Sequence, residues 1–188
     1  MDIRCFIAVD IPDSIKKEIS DLIEFLKKND ADIKWVSADN LHITLKFLGN
    51  TPEKLIAEIR DKISILAKSY KPFYIKIKGT GVFPNIKYPR ICWIGIEYPD
   101  TFIKLQKDID KSMKQLGFKE EERDFKPHLT IGRIRSKKGT LNIIKELDNN
   151  ALKEFGNVFV DSLKIMRSVL KPTGSEYSSL HEIKLDEV

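Results

Sequence analysis

Two halves of the chain repeat the same order of strands and helices, and this repeat limits the folds open to it. The tripeptide His-x-Thr begins at His42 and again at His128, 86 residues later, and Cys92 follows Cys5 by 87 residues. Each tripeptide lies in an alternating run rich in β-branched residues, which predicts a strand. The period is too long for a solenoid, whose repeats span about 20 to 50 residues. We therefore expect two homologous β-α-β-α-β lobes related by an approximate two-fold axis.

The apolar periodicity places the elements of both halves. The predicted strands lie near 2–9, 41–48, 73–79, 91–97, 128–134 and 157–165. The predicted helices lie near 12–28, after Thr51-Pro52, near 100–116 and from Thr140.

Two further segments complete the predicted organisation. Glycine and proline in 80–90 predict the crossover between lobes, and a Pro-Thr-Gly turn predicts a terminal hairpin over 168–188. We expect one domain, 1–188, with approximate repeats 1–80 and 90–167.

The two motifs place chemical groups side by side. Residues i and i+2 of a strand share a face, so His42 projects beside Thr44, and His128 beside Thr130. Two such half-sites facing each other surround a small anion with two imidazoles and two hydroxyls, which suits proton transfer at a phosphate. A single strand histidine is more often structural, but here the arrangement is duplicated. His181 lacks the hydroxyl partner, so we expect it to be structural.

Composition indicates the cellular compartment and the class of partner. The chain has 33 basic and 28 acidic residues, a net charge of +5, which favours a polyanionic partner. Cys5 and Cys92 lie in apolar runs typical of buried small hydrophobes, so we expect a reducing, cytoplasmic setting. The sequence predicts neither a signal peptide nor a membrane span. A monomer is the expected state.

With the motifs and the repeat established, the chain resembles the two-histidine phosphoesterase superfamily. Within it, the chain is most similar to RNA 2′,3′-cyclic phosphodiesterases, also called 2′-5′ RNA ligases. The likeness covers nearly the whole chain and is carried by RCFIAVDIP, HITLKFLG, GVFPN, RICWIGI, FKPHLTIGR and MRSVLKPTGSEY. It implies a bilobal α+β fold with a cleft between two antiparallel sheets. It also implies RNA ends or nucleotides bearing a 2′,3′-cyclic phosphate as substrates, and chemistry without metal or cofactor.

The resemblance also implies roles for the motif residues. His42 corresponds to the acid that protonates the departing O3′, and His128 to the base that activates water, giving a 2′-phosphate. Thr44 and Thr130 correspond to phosphate donors. With an RNA 5′-hydroxyl in place of water, the same groups would form a 2′-5′ link without ATP.

Two more residues follow from the resemblance, each fifth after a motif histidine. Arg133 corresponds to a phosphate-binding arginine, and Phe47 to an aromatic residue that lines the nucleoside pocket. Simple alternation turns both away from the histidines, so a bend or bulge must intervene, which Gly132 would permit. Alternation places Lys46 on the His42 face, where it either touches the phosphate or is an ordinary solvated lysine.

Other classes of protein stay open. A nucleotide-dependent ligase is disfavoured because the chain lacks a GxxxxGK loop. Two histidines without a carboxylate or thiolate cluster fall short of a typical metal-ligand set, which leaves a metallophosphoesterase as a minor alternative. The main rival is a non-catalytic module that binds RNA ends. Its support is the positive charge balance and aromatics such as Tyr88 and Tyr98.

Overall fold

The fold is α+β, as expected. The computed structural model describes residues 1–122, 124–172 and 174–186. The strands are β1 (Asp2–Asp10), β2 (Ile33–Trp35), β3 (His42–Pro52), β4 (Phe73–Phe83), β5 (Ile91–Glu97), β6 (His128–Ile134), β7 (Glu154–Val160), β8 (Ser162–Lys171) and β9 (Gly174–Lys184). The helices are α1 (Asp13–Lys27), α2 (Ile56–Ala67), α3 (Asp100–Lys114) and α4 (Thr140–Asn149).

Two antiparallel sheets form the two lobes. Sheet A has the order β3-β1-β8-β9, and sheet B has the order β2-β6-β5-β4-β7. The repeats exchange strands, because β4 of the first half pairs with β5 of the second, and β8 pairs with β1. The orders β3-β1-β8-β9 and β6-β5-β4-β7 therefore match under the pseudo-two-fold, with β2 added at the edge of sheet B.

Over the described residues, the helices pack against one face of each sheet. Helices α1 and α4 contact β7 and β4 of sheet B, while α2 and α3 contact β9 and β3 of sheet A. The apolar stripe predicted for α1 is buried throughout, from Ile15 to Leu26. Cys5 and Cys92 are free and buried, as predicted. The core thus lies between helices and sheets.

Several boundaries differ from the sequence expectations. The strand expected at 157–165 is two strands in different sheets, because the apolar alternation continues through the connecting Asp161 with no turn signal. Thr51-Pro52 ends β3, and a short 3-10 turn precedes α2, so the helix does not begin there. Strand β4 extends through part of the expected crossover at 80–90, and β2 was not predicted.

The terminal hairpin is present, and its first strand is longer than predicted. It consists of β8 and β9, so it begins at Ser162 and not near 168. Thr173 of the predicted turn and residues 187–188 lie outside the described residues. Over the described ranges, no helix is long and apolar enough to cross a bilayer.

Candidate active site

The two His-Thr strands adjoin at the junction of the sheets. Strand β3 is an edge strand of sheet A, and it contacts β6 of sheet B. His42 and Thr44 are half-buried on β3, and His128 and Thr130 are half-buried on β6. The fold therefore brings both half-sites to adjoining strands, and the side of the two sheets that carries these four residues is the candidate cleft.

A bulge in β3 changes which side chains face this cleft. Neighbouring residues of β1 pair with Thr44 and Lys46, so Leu45 is the extra residue. Beyond it the alternation is inverted: Phe47 returns to the face of His42, while Lys46 turns toward the core. The bend required to bring Phe47 onto the His42 face is present.

The bulge makes both interpretations of Lys46 wrong. Its side chain is buried, with the residue only 6% exposed, and forms an ion pair with Asp110 of α3. It also donates to the Lys119 carbonyl at 2.5 Å, while Asp110 accepts from the Glu121 amide at 3.0 Å. Lys46 therefore holds the segment after α3 and does not reach the cleft.

A matching bulge lies in β6. Neighbouring residues of β5 pair with Thr130 and Gly132, so Ile131 is extra and Arg133 returns to the face of His128. A side chain on Gly132 would approach Ile33 of β2 within 2.8 Å, so glycine lets β2 pack against the bulged strand. The bulge expected near Gly132 is thus present, and Arg133 is exposed on the cleft side.

Both imidazoles are oriented in the same way. Nδ1 of His42 lies 2.7 Å from the Asn40 carbonyl, and Nδ1 of His128 lies 2.7 Å from the Lys126 carbonyl. A carbonyl only accepts, so each Nδ1 carries a hydrogen and each Nε2 is left for proton transfer. In the neutral form, Nε2 of His42 accepts from the Thr44 hydroxyl at 3.0 Å.

Aromatic rings enclose His42 on sheet A. Phe6 of β1 stacks on His42 with ring centroids 4.6 Å apart, and it lies 6.0 Å from the ring of Phe47. Tyr177 of β9 meets the rings of His42 and Phe6 edge-on, each at 5.1 Å. These rings form an aromatic wall beside the first half-site.

The terminal hairpin also fixes the backbone that orients His42. The side-chain amide of Asn40 donates to the Ser175 carbonyl at 2.7 Å. Sequence reasoning missed both Asn40 and Tyr177. The available signal was the position of Asn40 two residues before the histidine. Tyr177 is 135 residues away from His42 in the sequence, and only the folded hairpin brings it to the site.

Burial, with a smaller contribution from Lys16, lowers the pKa of His42, whereas the Asn40 carbonyl and Asp10 raise it. Desolvation by the surrounding rings lowers its pKa below the ordinary value, which outweighs the raising effects of the Asn40 carbonyl and of Asp10. Asp10 pairs with Lys16 at 2.9 Å and with Lys164 at 2.7 Å. Those two hydrogen-bonded lysines lower the pKa of Asp10 despite its burial.

His128 has a different environment. Phe83 of β4 meets its ring edge-on at 5.1 Å, and Phe83 also packs on Trp93 at 5.1 Å. His181 lies on β9 opposite Ile165, away from both motifs in the sheet register. The two half-sites are thus equivalent in backbone but differ in their aromatic surroundings. In the part of the chain that the structure describes, no three histidine, cysteine or carboxylate groups are placed to hold a metal ion.

Comparison with known proteins identifies the family. The sequence model of the 2′-5′ RNA ligase superfamily matches residues 11–171. An RNA 2′,3′-cyclic phosphodiesterase of Methanothermobacter thermautotrophicus is 38% identical over 188 residues, covering 98% of this chain and all of that protein. A protein of the same name from Methanocaldococcus jannaschii is 38% identical, covering 95% of this chain and 99% of its own.

Solved structures agree with the fold. A Thermus thermophilus protein superposes with a TM-score of 0.81 at 26% identity over 97% of both chains. Escherichia coli LigT, crystallised with 3′-AMP, superposes with a TM-score of 0.74 at 24% identity over the whole of both chains. The resemblance inferred from the motifs is confirmed: the chain belongs to the 2′-5′ RNA ligase superfamily.

Proposed function

We propose that this protein is an RNA 2′,3′-cyclic phosphodiesterase that opens cyclic phosphate ends to 2′-phosphates, with two histidines as acid and base and no metal. The observation that carries the proposal is the matched orientation of His42 and His128. Each is held through Nδ1 by the carbonyl two residues earlier, leaving Nε2 toward the cleft. The substrate is supported by the relatives, which are RNA 2′,3′-cyclic phosphodiesterases.

In the proposed reaction, each histidine moves one proton. His128 takes a proton from water, whose oxygen attacks phosphorus, while the bond from phosphorus to O3′ breaks and His42 protonates O3′. The product has a 3′-hydroxyl and a 2′-phosphate. Since the attacking and leaving oxygens lie on opposite sides of phosphorus, two groups from opposing half-sites suit this geometry.

Charge that develops on the non-bridging oxygens needs fixed donors. We assign Thr44, Thr130 and Arg133 to this role, because the bulge in β6 returns Arg133 to the face of the half-site that contains Thr130. A guanidinium offers several donors in a fixed plane, which suits two phosphate oxygens. These groups are organised by strands and need little rearrangement during the reaction.

The lowered pKa of His42 is compatible with its role as the acid. In the free protein, burial disfavours the charged form of its imidazole. A cyclic phosphate carries one negative charge, and this charge beside Nε2 favours the imidazolium. Substrate binding therefore supplies the protonated acid.

The aromatic wall around His42 suits the terminal nucleoside of the substrate. Phe47 and Tyr177 flank Phe6 on the cleft side of sheet A, and bases stack on such rings.

An RNA 5′-hydroxyl that replaces water beside His128 gives ATP-independent 2′-5′ ligation by the same proton transfers. We further propose that the protein is a monomer. We also propose a reducing, cytoplasmic setting, which the free buried cysteines support.

A turnover assay separates the enzyme from a non-catalytic RNA-end-binding module. The purified protein is mixed with adenosine 2′,3′-cyclic phosphate, and the product is identified by phosphorus NMR. We expect adenosine 2′-phosphate from the wild type and from His181→Ala, and a loss on the order of 10²-fold or more in kcat for His42→Ala and His128→Ala. Binding without turnover by the wild type would favour the non-catalytic module.

A further inference from the structure

Sheet B exposes a pair of aromatic rings that the reaction does not use. Tyr74 of β4 is 66% exposed and Phe159 of β7 is 50% exposed. They are cross-strand partners, with ring centroids 4.9 Å apart and planes inclined by 41°. Two neighbouring rings exposed to this degree form an apolar surface that does not contribute to the core.

The strand register places this pair on the face that contains the catalytic histidine. His128 pairs with Gly95 on β5, and two residues further Glu97 pairs with Lys76 on β4. Tyr74 lies two residues before Lys76, with its aromatic partner opposite on β7. Every step conserves the face, because paired residues and residues two apart share it. The pair therefore faces the cleft.

A cavity at the junction of the two sheets supports this placement. It has a volume of about 210 Å³, and its walls include Phe159 of β7, Asp10 of β1 and Lys164 of β8. Asp10 is the register partner of His42. Phe159 thus borders a cavity that the two sheets share, one strand away from His42.

The distance from the reacting centre limits what the pair contacts. Tyr74 is two strands and about four residues away from His128, roughly 17 Å at ordinary strand spacings. A mononucleotide held by its phosphate at His128 does not reach Tyr74, whereas a longer RNA strand does.

The side-chain charges between the aromatic pair and His128 do not attract a nucleic acid. Lys76 and Lys78 lie between the pair and His128. Glu154 forms ion pairs with both lysines, and Glu97 forms an ion pair with Lys78. Two cations and two anions cancel, so the attraction available to a nucleic acid here is stacking on the rings.

We propose that Tyr74 and Phe159 form a stacking platform for a base of the RNA strand upstream of the cyclic phosphate. The platform makes the enzyme prefer oligonucleotides to mononucleotides. This inference rests on the proposed function for its substrate, and it concerns residues outside the reacting centre.

The test compares two substrates with the same reactive end. These are adenosine 2′,3′-cyclic phosphate and a hexanucleotide that ends in the same group. The double variant Tyr74→Ala/Phe159→Ala should lower kcat/KM for the hexanucleotide on the order of 10-fold through KM, in the range of lost base stacking. Its kcat/KM for the mononucleotide should be unchanged. Phe25→Ala, which removes a 46% exposed ring from α1, is the matched control and should change neither value.

The possible outcomes separate the explanations. Equal losses on both substrates would overturn the platform, because a structural role of the pair affects every substrate. A double variant that changes the sedimentation coefficient and leaves hexanucleotide kinetics intact would overturn it in favour of contact with a second copy of the chain. If the wild type turns over neither substrate, the proposed function fails. Fluorescence anisotropy with a hexanucleotide ending in 2′-phosphate then tests the platform, and equal affinity of wild type and double variant would overturn it.

Discussion

Replacing Lys46 by methionine tests the bulge that organises the first half-site. If β3 were a regular strand, Lys46 would lie beside His42, and its loss would weaken binding of the cyclic phosphate. In the structure it is buried against Asp110, on the opposite side of the sheet. Lys46→Met should therefore reduce stability and leave the KM for adenosine 2′,3′-cyclic phosphate unchanged.

The expected size follows from what remains after the substitution. Both side chains of the pair are at most 10% exposed, so Asp110 would keep a buried charge, with the Glu121 amide as its remaining donor among the residues that the structure describes. Removing one partner of a buried ion pair costs about 3–5 kcal/mol. For a chain of this length that is a fall in Tm of roughly 6 to 20 °C. Lys46→Met/Asp110→Leu should recover most of the loss, because apolar groups of similar volume replace both charges.

Calorimetry and steady-state kinetics on the same preparations measure the two effects. Lys17→Met is the matched control, because Lys17 forms an exposed pair with Asp21, and its Tm should equal that of the wild type. A stable Lys46→Met protein with a raised KM would refute the bulged register and indicate that Lys46 contacts the substrate phosphate.

Three further predictions concern the reacting groups. Tyr177→Ala should raise the pKa of His42 toward its reference of about 6.5, because burial is the main cause of its lowering. The limb of the pH profile of kcat/KM that His42 controls should then move to higher pH, and a profile identical to that of the wild type would contradict burial as the cause. Arg133→Ala should lower kcat on the order of 10²-fold and His181→Ala should not, so comparable losses would contradict the assignment. Exhaustive EDTA treatment should leave turnover unchanged, and a loss restored by one divalent ion would refute metal-free chemistry.

The duplicated motif made much of the fold predictable. Strands β5 and β6 have the predicted bounds, because their apolar alternation ends at clear breaks. The exchange of β4 and β8 between sheets was not predictable from the repeat, because homologous halves do not specify which sheet receives the last strand of each. The single residue Asp161 between β7 and β8 concealed that change of sheet.

The candidate site also contains residues that the sequence predicts and residues that it does not. The pairing of His with Thr in each motif follows from a period of two, whereas Phe47 and Arg133 reach the cleft only through an extra residue in each strand. Alternation alone placed Lys46 in the cleft because the position of a bulge has no simple sequence signal. Contacts from Tyr177 depend on the path of the terminal hairpin, which breaks the symmetry of the repeats.

The division of labour between His42 and His128 is tested most directly with a nucleoside 2′,3′-cyclic phosphate whose 3′ bridging oxygen is replaced by sulfur. A thiolate leaves without protonation, so single-turnover cleavage by His42→Ala should be largely rescued on the sulfur substrate. His128→Ala lacks the base and should stay impaired on the oxygen and sulfur versions alike, with phosphorus NMR showing a 2′-phosphate product. Rescue of His128→Ala in place of His42→Ala would reverse the roles. Rescue of neither would contradict proton transfer by the pair and leave both histidines as phosphate-binding groups.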